Sequence, residues 1–113
     1  MYQILEELNK TSGITGSMIV GSDGIVIAAD LDTSFEEETI GALAASITSN
    51  IQKSLDRLQQ TPLTQVTIEA ANGKLFFSEA GIGILVVTAE KDVNIGLIRL
   101  EIKNAVTRIS SHN

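Results

Sequence analysis

With 113 residues, 43% of them hydrophobic, the chain is long enough to bury one real core and too short for two domains. Its 8 basic and 14 acidic residues give a formal net charge of −6, which opposes phosphate backbones and anionic membranes as main partners. No cysteine and one histidine, His112, exclude disulfides, the usual zinc sites and Ser-His or Cys-His nucleophile pairs.

Tyr2 to Lys10 reads as a short helix with Ile4, Leu5 and Leu8 on one side. Two β-like runs follow, Ser17–Gly21 and Ile25–Ala29, joined by Ser22-Asp23-Gly24. Asp-Gly supplies the backbone freedom that a tight hairpin turn needs. A long helix is predicted from about Ser34 to Gln60. Ser34 and Glu37 have the spacing of a capping box, and Glu36, Glu37 and Glu38 suit the positive end of the helix dipole. Pro62 is the expected stop. Leu63–Ala71 alternates, with Val66, Ile68 and Ala70 one way and Gln65, Thr67 and Glu69 the other. That pattern gives a strand with one dry face. Asn72-Gly73 makes the next tight turn before Lys74–Ala80. Gly81 opens Ile82–Ala89, which is apolar almost throughout and reads as a central strand covered on both faces. Asp92 is the expected cap of a last helix reaching about Ser110, with Ile95, Ile98, Ile102, Val106 and Ile109 inward.

The order α-β-β-α-β-β-β-α with short hairpin links predicts an α+β fold. A five-stranded antiparallel sheet carries the long middle helix on one face and the two terminal helices on the other. Residues 1–113 read as a single domain. No apolar run approaches the roughly 20 residues of a membrane span, and no basic-then-apolar opening suggests export. A cytoplasmic protein without membrane insertion is expected. Four aromatics (Tyr2, Phe35, Phe76, Phe77) make no base-stacking platform, so nucleic acid is not an expected partner. No carboxylate pair has a spacing that specifies acid–base work, so the chain is expected to be no enzyme and to need no cofactor.

The most informative segment is Thr39–Gln52, fourteen residues without a charge inside the long helix. Ile40, Leu43, Ala44, Ile47, Ile51, Leu55 and Leu58 recur at helical spacing as a core stripe. Gly41, Ala42, Ala45, Ser46 and Ser49 form a second, small-residue stripe on the other side. Two readings of that stripe stand: a solvated face, or a face covered by a second protein. Gly41 costs roughly 1 kcal/mol relative to alanine in a helix interior, and close approach of another helix is a reason to bear it. Leu63–Ala71 is also a candidate edge strand whose free backbone groups could pair with a second copy.

The segment Gly13-Ile-Thr-Gly-Ser-Met-Ile-Val-Gly-Ser-Asp-Gly-Ile-Val-Ile-Ala-Ala resembles the first hairpin of the Roadblock family of dynein light chains and their bacterial and archaeal relatives. The long uncharged helix after an acidic start, and Asn94-Ile-Gly-Leu-Ile-Arg-Leu, are similar to that family as well. The resemblance implies a homodimer formed through the middle helix and the third strand. It also implies regulation or scaffolding of small Ras-like GTPases, which the bacterial MglB-type members stimulate. By that analogy the outer side of Gly41–Asp56, including Gln52, Lys53 and Asp56, serves dimer and GTPase contacts. Gln65, Val66, Thr67 and Ile68 serve the strand contact. No arginine finger is implied, since Arg57, Arg99 and Arg108 match no such motif. A structural adaptor is the alternative from another class, and a small-ligand sensor is the third.

Overall fold

A computed structural model describes residues 1–32 and 36–111. Its elements are α1 (Tyr2–Leu8), β1 (Ile14–Val20), β2 (Val26–Asp30), α2 (Glu37–Arg57), β3 (Gln65–Ala70), β4 (Gly73–Glu79), β5 (Ile84–Ala89) and α3 (Ile95–Ser110). The strands form one antiparallel sheet in the order β2-β1-β5-β4-β3. This is the expected α+β arrangement. β5 lies in the centre and is buried at every position, because its alternate side chains enter two different cores. Leu85 and Val87 join Ile4, Leu5 and Leu8 of α1, Phe76 of β4, and Ile98, Ile102 and Ile109 of α3. Ile84 and Val86 join Met18, Val20, Phe77 and Ala44 of α2. The sheet therefore has α1 and α3 on one face and α2 on the other.

The first hairpin closes as a three-residue loop. The Gly24 amide donates to the Gly21 carbonyl, and Gly21 pairs back to the Ile25 carbonyl, each at 2.9 Å. Gly24 takes the left-handed conformation at φ +88°, while Asp23 Oδ1 accepts from the Ile25 amide at 3.0 Å. The turn is thus a type I turn plus a left-handed glycine, a geometry that matches the strand twist. Where Asn72-Gly73 was expected to turn, Gly73 instead pairs with Ala70, and the loop is Ala71-Asn72.

One end of each long helix differs from the sequence expectation, while α3 stops at Ser110 as expected. The Ser34 cap lies outside the described residues, as does His112. α2 ends at Arg57, not Gln60. The Gln60 amide donates to the Leu55 carbonyl and the Gln59 amide to the Asp56 carbonyl, with Gln59 at φ +57°. These bonds close the helix as a Schellman motif before Pro62 is reached. A side chain with a Cβ pays about 1 kcal/mol or more in that conformation, and glycine does not. Gln59→Gly is expected to raise stability by about 0.5–1 kcal/mol in urea unfolding, after the larger chain entropy of glycine is subtracted. The cap of α3 is Asn94, whose Oδ1 accepts from the Leu97 amide at 3.1 Å, and not Asp92. Only a residue directly before the helix can reach the third free amide.

A polar seam ties α1 to the sheet. Buried Ser17 donates to Asn9 Oδ1 at 2.7 Å. Asn9 Nδ2 donates in turn to the Asp30 carbonyl at 2.8 Å and to its carboxylate at 3.0 Å. The seam fixes the end of α1 over β1 and β2.

Candidate interaction surface

α2 lies against β2, β1 and β5, and among the described residues no helix lies centrally over the β4–β3 side of the same face. Val66 and Ile68 of β3 and Leu75 of β4 point to that face and are only half-buried. β3 is an edge strand, the position for which its place at the start of the last three-strand run made it a candidate, so among the described residues one side of its backbone is unpaired. The uncovered part of the face is bordered by one flank of α2. At 100° per residue, Ile40, Leu43, Ile47 and Leu58 fall within an arc of about 60° on that helix. Ile40 and Ile47 pack into the same half-open cluster as Val66, Ile68 and Leu75. Leu43 is 55% and Leu58 67% exposed, so neither belongs to the core stripe in which the sequence pattern put them. The apolar positions of α2 span a wider arc than the sheet beneath can cover.

Gly41 also departs from the position that the helical pattern gives it. It is buried, and faces the sheet and not the outer side. A Cβ there would come within 3.0 Å of the Gly24 carbonyl oxygen and 3.4 Å of Val20 Cγ1. Gly24 likewise sits under Ala42 and Ala45. Glycine at 41 therefore serves the close crossing of α2 over the first hairpin, inside one chain. Helical phase alone did not reveal this, because the inward direction is set by where the hairpin lies.

The remaining predicted positions divide into three groups. Ala42, Ser46, Ser49 and Lys53 are exposed along the outer crest of α2, and Asp56 is exposed near its end. Ala45 and Gln52 are half-buried and, with Ser49, Thr48, Leu63 and Phe77, line a cleft of about 450 Å³ at the end of the sheet. Gln52 accepts from the Leu63 amide at 3.0 Å and donates to Asp56 at 3.3 Å, so its side chain anchors the entry to β3. Gln65 and Thr67 point to the opposite face of the sheet, where Thr67 accepts from Arg99 of α3 at 3.1 Å. Val66 and Ile68 alone of the four strand positions adjoin the α2 flank. Leu43, Ile47 and Leu75 complete that surface and were not singled out as surface residues in the sequence. For Leu43 and Ile47 the signal is the excess width of the apolar stripe on α2.

Among the described residues no group of three or more His, Asp or Glu side chains could hold a metal ion, and no helix is long and apolar enough to cross a membrane.

The model of the Roadblock/LC7 domain family matches residues 1–89. The uncharacterized protein MJ0310 of Methanocaldococcus jannaschii is 42% identical over 109 residues, covering 96% of both chains. The fold superposes on the crystal structure of a Roadblock/LC7 domain from Streptomyces avermitilis with a TM-score of 0.89 at 23% identity, covering 96% of this chain and 93% of that one. It superposes on Myxococcus xanthus MglB with a TM-score of 0.90 at 19% identity, covering 96% and 89%. The hairpin glycines, the uncharged helix, the antiparallel sheet and these matches converge: the chain belongs to the Roadblock/LC7 family.

Proposed function

We propose that this chain is a homodimeric interaction module of the cytoplasm that binds and regulates a small Ras-like GTPase, with residues 1–113 acting as one domain. The observation that carries the reading is the half-open apolar face. Leu43 and Ile47 of α2 and Val66, Ile68 and Leu75 of the adjoining strands border it, next to an unpaired strand edge. Pairing β3 with β3 of a second copy around a two-fold axis extends the sheet through both chains and satisfies the edge. The same rotation brings the two α2 flanks together over the seam. Apolar surface contributes about 25 cal/mol per Å² removed from water, so covering this face drives the association.

In such a dimer the crests of both α2 helices stay outward. Ala42, Ser46 and Ser49 are short and uncharged, so a partner backbone can approach closely, and Lys53 and Asp56 supply charge at one end. Small Ras-like GTPases change order in their switch segments with nucleotide state, and a rigid double helix beside those segments favours the ordered form. Arg99 lies on the opposite face of the sheet and Arg108 pairs there with Glu7 at 3.9 Å, so neither adjoins the crest. Stimulation is therefore proposed to act by positioning.

The test measures GTP hydrolysis by a small GTPase of the same genome, with and without this protein. A rate increase that survives Arg57→Ala within about twofold is the expected outcome. Loss of the increase in that variant overturns the positioning mechanism. Binding with no change in rate assigns the chain to the adaptor role instead.

A further inference from the structure

On the face of the sheet away from α2, a groove of about 710 Å³ runs between α3 and the start of β3. The core side of α3 uses Ile98, Ile102, Ala105 and Ile109. The next flank carries Gly96, Arg99, Leu100, Lys103 and Val106 and forms one wall, while Leu63 lies at the base of the other. Leu100 is 54% exposed and contributes nothing to the core. Arg99 and Lys103 stand one helical turn apart beside it, and neither pairs with a carboxylate among the described residues. Arg99 is steadied by donating to Thr67 across the groove at 3.1 Å, which leaves further N–H groups of its guanidinium free. Glu79 also borders the groove, but its carboxylate accepts from the Gly81 amide at 3.0 Å and is turned to the β4–β5 connection.

We infer that this groove binds an acidic amphipathic helix of a partner protein. In a chain of net charge −6, two unpaired cations flanking an exposed leucine specify carboxylates beside apolar side chains. The wall from Gly96 to Val106 is about 15 Å long at 1.5 Å per residue, which matches roughly three turns of a facing helix. Nucleic acid fits poorly, since two cations do not offset the acidic remainder of the surface. The site lies on the opposite sheet face from the α2 contacts, beside the start of β3, and does not rest on the dimer or GTPase readings.

The probe is a synthetic helical peptide of about 14 residues with leucines at i, i+4 and i+7 and glutamates flanking them, compared with its lysine-for-glutamate twin. Binding to the full chain is followed by fluorescence anisotropy, and the site by amide chemical shifts. The acidic peptide is expected to bind at least about tenfold tighter than its twin, with shifts at Leu63, Leu100 and Lys103. Lys103→Glu should reverse that preference, and Leu100→Ser should weaken binding about tenfold with an unchanged circular dichroism spectrum. Ile68→Asp, on the other face, should leave peptide binding intact, so a failure of the dimer reading would not imitate a failure here. Equal affinity for the two peptides, no saturable binding, or shifts confined to α2 would overturn the proposal. So would Lys103-dependent binding to phosphatidylserine vesicles in place of the peptide.

Discussion

An Ile68→Asp chain is expected to run as a monomer in light scattering at concentrations where the unaltered chain runs as a dimer. Ile68 is half-buried on the open side of the α2 face, paired with Leu75 of β4. In one chain an aspartate there still reaches water past the edge strand, so the fold should persist and circular dichroism should not change. In the proposed dimer the same position lies at the seam. Burying an unpaired carboxylate costs about 2–3 kcal/mol even after partial hydration. A two-fold interface counts every substitution twice, so the loss is about 4–6 kcal/mol. That corresponds to a dissociation constant roughly 10³–10⁴ times larger. Leu43→Glu on the facing flank of α2 should act in the same direction. If both variants remain dimeric, the apolar face is not the interface, and the functional proposal built on it falls. GTPase stimulation should disappear together with the dimer, because one α2 crest alone presents half of the contact.

Phe76→Ala should act through the monomer. Phe76 has no exposed surface and fills the space between the sheet and the α1–α3 layer. Removing a buried phenyl ring costs about 3–5 kcal/mol from lost transfer energy and the cavity left behind. Domains of this size hold about 5–15 kcal/mol in total. At about 4 °C per kcal/mol the midpoint should fall by roughly 12–20 °C in calorimetry. The paired outcomes are diagnostic. Phe76→Ala should lower thermal stability at every protein concentration, whereas Ile68→Asp should abolish the concentration dependence that a dimer confers. A Phe76→Ala chain that melts within a few degrees of the unaltered one would show that the α1–α3 core repacks.

The half-buried surfaces of the fold divide by face. The α2 side is apolar at its border with β3 and small along its crest. The α3 side carries the cationic groove. A thin domain with one sheet can present two independent contacts in this way, since residues 65–70 alternate between the faces. A regulator that also tethers its partner would use both.

The order of helices and strands, the central position of β5 and the edge position of β3 were all legible in the sequence. The central place of β5 follows from its continuous apolar residues, the edge place of β3 from its position at the start of the last meander, and the antiparallel neighbours from tight glycine-containing turns. The absence of a histidine or cysteine constellation was likewise a matter of composition. The direction in which α2 faces was not legible. A helical wheel gives relative angles around the axis, but the zero of angle is set by what the helix lies on. Contact with Gly24 and Val20 turned Gly41 inward and lifted Leu43 and Leu58 to the surface. Helix ends were decided by hydrogen bonds of single residues, Gln59 and Gln60 at one and Asn94 at the other, and not by the nearest proline or acid. Periodicity thus determined which residues share a face, and only the packing of α2 across the first hairpin decided which of those faces remained open.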